Sequence, residues 1–275
     1  MYKVFITVRN RLALTCKCLT ALKKHSKMEH QVYVYENLTS TKIQEHFMYW
    51  SILYEKGLID QVTFTSKEST FNSFSKAVAC NMFGQQHQMD PNKNKYDFLV
   101  FLDNDIIVTP GWDEIIHQAW HDIRRSGLQN VRVVGQCPGG IKYKEEFKGN
   151  IANRKSVIGK LGGSAFWCVL PNFFETVGFL DVKFLVGQNK KHDQHYWSLL
   201  EKSSGGKPYI LGLREKLAIH VGGKFAPSIC NILTKSNPAD VDKLELDQSE
   251  EMINNMSFDE FYSMVLNDKD LSNNW

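Results

Sequence analysis

Apolar positions along the chain follow two periods, and these alternate. Short runs at residues 4–8, 31–35, 62–64, 98–102 and 131–135 are rich in Val, Ile, Phe and Tyr and are too short for helices. Such runs predict buried strands. Between them, apolar residues recur at helical spacing. Leu12, Leu14, Cys18, Leu19 and Leu22 share one stripe, and Phe74, Ala77, Val78 and Phe83 share another. Helices are predicted over residues 12–22, 41–56, 73–83, 110–121 and 192–201, with Pro110 in a first turn where it is tolerated. Further short strands are predicted at residues 162–170, 209–212 and 217–221. Strand–helix alternation predicts an α/β fold with a mostly parallel, helix-covered sheet.

Two stretches break this rhythm. Residues 138–160 are polar, glycine-dotted and lysine-rich (Lys142, Lys144, Lys148, Lys155, Lys160), which predicts a long loop or hairpin beside the site or a solvated excursion. From Pro238 to Trp275 the chain is acidic and polar. There Ser257-Phe258-Asp259-Glu260 spells a capping box for a last short helix carrying Phe261, Met264 and Val265. The division predicted is a main unit at residues 1–225 and a helical extension at 226–275.

The candidate chemistry begins where the strand at residues 98–102 ends, in Asp103-Asn104-Asp105. If the backbone stays extended, residues i and i+2 share a face, so the two carboxylates can converge at the strand end. Open α/β sheets bind ligands at that edge. Converging carboxylates repel unless a cation lies between them, and hard divalent ions such as Mg²⁺ or Mn²⁺ accept carboxylate and phosphate oxygens together. A surface turn is the competing reading, because Asp and Asn are common turn residues.

Composition narrows the field only a little. A hydrophobic fraction of 43% and a charged fraction of 23% are ordinary for a globular protein. The net charge of +3 singles out no partner; nucleic-acid binders usually carry a stronger basic footprint. The six cysteines show no CxxC pair, which argues against a zinc site and for small core residues in a reducing compartment. The start lacks a signal-peptide pattern, and no apolar run approaches the ~20 residues that span a bilayer. The location expected is cytoplasmic.

The order of motifs carries more information than any one of them. Thr7-Val8-Arg9-Asn10-Arg11 closes the first strand and Glu36-Asn37-Leu38-Thr39 the second; Asp103-Asn104-Asp105 and Pro110-Gly111-Trp112 follow. Then come Gly162-Gly163-Ser164-Ala165-Phe166, Val177-Gly178-Phe179-Leu180-Asp181 and His192-Asp193. Over roughly the first 225 residues this resembles the family 2 glycosyltransferases of GT-A (Rossmann-like) fold. The resemblance implies a metal-dependent, inverting transfer of a sugar from a nucleotide-sugar, UDP-linked by expectation, to an acceptor hydroxyl. It places Thr7, Arg9, Arg11, Glu36, Asp103 and Asn104 at the nucleotide-sugar, Asp105 and His220 at a Mn²⁺ or Mg²⁺ ion, and Asp193 as catalytic base. His192 stands where the family usually has Glu, and His192 and Trp112 are implied on the acceptor side. The acceptor class stays open among glycans, proteins, small molecules and modified nucleic acid.

Each residue also has a structural alternative. Asp193 could cap its helix, Glu36 could cap the next one, Arg9 and Arg11 could be surface charges, and Trp112 could pack a helix start. Two other functions compete. A sugar-nucleotide-forming nucleotidyltransferase would usually carry a glycine-rich phosphate loop after the first strand, where this chain has Arg9-Asn10-Arg11-Leu12. A catalytically silent sugar- or nucleotide-binding module would have no need of Asp103, Asp105, Asp193 and His220 together.

Overall fold

A computed structural model describes residues 1–8, 11–37, 43–65, 76–135, 142–160, 165–181, 192–221 and 249–268. The first half alternates as expected: β1 (Tyr2–Val8), α1 (Leu12–His25), β2 (His30–Asn37), α2 (Ile43–Glu55), β3 (Gln61–Thr65), α3 (Lys76–Met89) and β4 (Leu99–Asp103). Then follow β5 (Ile106–Val108), α4 (Trp112–Arg125), β6 (Val133–Gly135), β7 (Lys142–Ile151), β8 (Arg154–Lys160) and β9 (Phe166–Val169). The chain continues through α5 (Phe173–Thr176), α6 (His192–Ser203), β10 (Ile210–Leu213), β11 (Ala218–His220), α7 (Ser249–Asn255) and α8 (Phe258–Asn267).

Among the described residues, nine strands form one sheet in the order β3-β2-β1-β4-β9-β6-β10-β8-β7. Following the pairings across these described strands, seven run one way and β9 and β8 oppose them. The lysine-rich stretch is a hairpin, β7–β8, at one edge of this sheet. β5 and β11 pair separately as a two-stranded ribbon.

Alternation along the strands sends side chains into two cores. Val4, Ile6, Val32, Val34, Val100 and Leu102 meet Leu14, Leu19, Trp50 and Ile116 on the face of α1, α2 and α4. Phe5, Tyr35, Leu99 and Phe101 meet Ala79, Phe83, Phe173 and Leu200 on the face of α3, α5 and α6. The result is an α/β/α sandwich with the parallel strands buried on both faces.

The C-terminal helices join the first core. Ile253, Phe261 and Val265 are buried there, and Phe258 and Tyr262 flank the His25 ring at 5.8 and 4.7 Å. Ser257 caps α8 with the full capping box: its hydroxyl accepts from the Glu260 N–H, and the Glu260 carboxylate accepts from the Ser257 N–H.

β6 and β9 are antiparallel neighbours that approach closely at Gly135. A Cβ on Gly135 would collide with the backbone carbonyl oxygen of Phe166. Gly135→Ala should therefore destabilise by about 3 kcal/mol. At Gly84 the obstacle is the Phe174 ring, whose atoms lie 2.5–2.7 Å from where a Cβ would sit, and a ring can give way. Gly84→Ala should destabilise by about 1 kcal/mol. Urea titration of both variants checks the order; Gly84→Ala as the worse of the two would contradict it.

Candidate functional site

The polar residues named by the sequence gather at the C-terminal ends of β1, β2 and β4. Register puts Thr7 opposite both Tyr35 and Asp103, on the sheet face that carries Phe5 and Phe101. Thr7 and Asp103 are both half-buried.

β4 ends at Asp103, and the chain turns through Asn104 and Asp105 into β5. The carboxylates are therefore set by a turn, and the expected i, i+2 alternation of an extended strand does not reach Asp105. Bonds to residues distant in sequence hold the turn. Asn104 Nδ2 donates to Thr15 Oγ1 at 3.0 Å, Asp103 N–H to the Ala165 carbonyl at 2.9 Å, and Val221 N–H to the Asp105 carbonyl at 3.0 Å.

Asp105 is 8% exposed. One of its oxygens, Oδ2, lies 3.4 Å from Arg11 Nη1 and 3.4 Å from His220 Nε2. His220 arrives by register: β11 runs antiparallel to β5, with His220 opposite Ile106. It is the last residue of the ribbon strand, outside the nine-stranded sheet. Arg11 arrives by a strained backbone. It is the N-cap of α1 in the left-handed region (φ 59°, ψ 46°), which costs an ordinary side chain about 1 kcal/mol. Its carbonyl accepts from Thr15 N–H at 2.9 Å and Thr15 Oγ1 at 2.8 Å. Thr15 thus ties the helix start to the Asn104 turn.

Cys18 packs beneath. Burial, then the Asp105 carboxylate and more weakly Asp103, hold its thiol above the ordinary value. It stays protonated and donates to the Ile106 carbonyl at 2.9 Å, so it is structural and unreactive.

Two expectations are corrected. Trp112 is fully buried, edge-on to Tyr2 and Phe166 at 5.5 Å, with its Nε1–H on Ser26 Oγ at 3.2 Å. It belongs to the core, because a side chain opening α4 points down onto the sheet, and it has no acceptor face. Glu36 is also fully buried: His46 Nδ1 hydrogen-bonds its Oε1, and Trp50 Nε1–H donates to its Oε2. Its carboxylate fastens α2 to β2 instead of opening toward a nucleotide. His46, Trp50 and Leu53 do lie on one helical stripe, a sequence signal for the buried face.

Arg9 lies outside the described residues. His192 and Asp193 open α6, but their side chains also lie outside what the structure describes. Further along α6, Tyr196 is buried against Trp167, while His195 Nε2 accepts from the Asp181 N–H at 3.3 Å.

Asp105 and His220 present a carboxylate oxygen and an imidazole nitrogen, donors that suit Mn²⁺ or Mg²⁺ when phosphate and water complete the shell. No group of three or more His, Cys, Asp or Glu converges among the described residues. A cavity of about 360 Å³ lies at the opposite ends of these strands, lined by His87, Lys93, Tyr96, Arg124, Pro171 and Glu175. Lys93 and Glu175 pair across 2.9 Å there, and it holds no converging acids. No helix among the described residues is long and apolar enough to cross a membrane.

No family model matches the chain, and no curated protein matches it. Solved structures do. The structure of GalNAc-T7 with UDP, GalNAc and Mn²⁺ matches with a TM-score of 0.52 and 11% identity over 78% of this chain and 41% of that one. Staphylococcus aureus TarS gives 0.48 and 13%, over 79% of this chain and 36% of that one. TarS 1–349 in complex with UDP-GlcNAc gives 0.47 and 14%, over 79% and 57%. The chain thus spans between about a third and three fifths of the chains it matches. The likeness to GalNAc-T7 shows the fold: a mixed α/β sandwich similar to that of the GT-A glycosyltransferases.

Proposed function

We propose that this chain is a nucleotide-sugar-dependent glycosyltransferase of the family 2 type, inverting and assisted by a divalent metal ion. The observation that carries this is Asp105: a nearly buried carboxylate at the ligand-binding edge of the sheet, with His220 and Arg11 both 3.4 Å from one oxygen. A fold similar to one whose solved form holds UDP, GalNAc and Mn²⁺ supports it.

In this proposal Thr7, Arg11, Asp103 and Asn104 line the donor, with Arg9 beside them. Glu36 contributes indirectly by holding α2. Asp105 and His220 would hold Mn²⁺ or Mg²⁺, which when bound neutralises charge developing on the leaving diphosphate. Asp193 accepts the proton of the acceptor hydroxyl, with His192 next to it on the acceptor side. The hydroxyl oxygen then bonds to the anomeric carbon from the face opposite the diphosphate. The bond from that carbon to the diphosphate oxygen breaks, its electron pair leaves with the nucleotide, and the configuration inverts. A base so placed typically contributes 10²–10⁴-fold. Residues 1–225 form the catalytic unit and 226–275 a helical extension, whose helices α7 and α8 pack on the first core.

A panel of nucleotide-sugars, UDP-linked ones first, tests this without an acceptor. Slow Mn²⁺-dependent hydrolysis of one donor, abolished by chelation, is the expected result. Absence of hydrolysis and of donor binding across the panel would refute it.

A further inference from the structure

Arg11 is poorly explained as a phosphate ligand alone. Its backbone sits in the left-handed region that L side chains avoid, and it is held there by Thr15 and, through Thr15, by Asn104. A strained residue that its surroundings over-determine is a pointer to function. What this conformation achieves is to bring the guanidinium to Asp105, whose carboxylate is almost closed off from water; the two side chains are 11% and 12% exposed. A carboxylate removed from water requires a counter-charge. Yet the contact is loose. At 3.4 Å between Nη1 and Oδ2 it is longer than the 2.7–2.9 Å of a strong charge-assisted bond. The oxygen it touches, Oδ2, is also the one His220 approaches.

We infer that Arg11 is a built-in counter-ion of Asp105 that competes with a divalent metal ion for the same carboxylate oxygen. This rests on the proposed glycosyl transfer and adds a regulatory element to it. While the site holds no nucleotide, the guanidinium balances Asp105 and repels a second cation, so metal alone binds poorly. A nucleoside diphosphate brings negative charge that draws the guanidinium away from Asp105 and leaves that oxygen to the metal ion. Metal and nucleotide affinity are thereby coupled through one side chain, and coupling of this kind is reciprocal.

Manganese binding read by electron paramagnetic resonance tests this independently of turnover. The probes are Mn²⁺ alone and Mn²⁺ with UDP, on the full chain. Arg11→Gln should bind Mn²⁺ alone about tenfold more tightly than the unaltered protein, and the tightening of Mn²⁺ binding by UDP should shrink correspondingly. Arg11→Gly is the companion variant. Glycine adopts the left-handed backbone without strain, so it keeps the helix start while deleting the charge. It should behave like Arg11→Gln. If the unaltered protein binds Mn²⁺ in a manner lost in Asp105→Asn, and both Arg11 variants bind it equally or less well, the counter-ion role is overturned and the glycosyltransferase proposal stands. If no form binds Mn²⁺ with or without UDP, both fall.

Discussion

Asp105→Asn will lower sugar transfer by about 10³-fold or more while the protein stays folded. Asparagine matches the shape of the side chain but carries no charge. The turn that positions it survives, because its anchors are the Val221 N–H to the residue 105 carbonyl, the Asp103 N–H to Ala165, and the Asn104 amide to Thr15. What disappears is the anion that His220 and Arg11 approach. A charge placed in advance where a reaction needs it is the largest single contribution many enzymes make, and losing one such element costs about 10²–10³-fold on its own. Here the same group would also secure the metal. Steady-state turnover with the preferred donor, beside a thermal melt, separates chemistry from folding. Turnover within a few-fold of the unaltered protein would contradict the role assigned to Asp105.

Glu36→Ala will have the opposite signature, a loss of stability of about 3 kcal/mol. Its carboxylate is fully buried and engaged by His46 and Trp50. Truncating one partner of a buried charged network leaves the others unsatisfied, and such changes commonly remove 3–5 kcal/mol. Glu36→Gln should be milder, since an amide oxygen can still accept from one of the two donors. Urea denaturation midpoints measure both. A direct contact between Glu36 and the nucleotide predicts a different pattern: an unchanged midpoint and a raised KM for the donor.

These two residues also mark how far sequence reaches. Asp103-Asn104-Asp105 is legible because an apolar strand predicts its own end, and α/β sheets bind at such ends. The direction in which Asp105 points is not legible. It depends on a turn secured by residues far away along the chain, Thr15 and Val221. Glu36 sits at an equivalent strand end and reads identically, but α2 carries His46 and Trp50 over it. Trp112 shows the same limit for an aromatic residue: a Pro-Gly-Trp helix start does not reveal whether the ring faces core or cleft.

Secondary structure follows a similar division. Elements with strong local periodicity, such as β1, α1, β4 and the capped α8, are evident from the chain alone. β5 is not, because three apolar residues after an acidic turn become a strand only through β11, more than 100 residues later. α3 runs on to Met89, past the expected end at Phe83. The helix continues through Gly84, where the missing Cβ leaves room for the Phe174 ring.

The most direct measurement is a crystal structure of the chain with UDP and Mn²⁺, with anomalous scattering used to locate the manganese. The expected result is one manganese held by Asp105 and His220, with the UDP diphosphate on it and Thr7 and Asp103 beside the nucleoside. Manganese bound elsewhere, or UDP bound away from the C-terminal ends of β1 and β4, would contradict it.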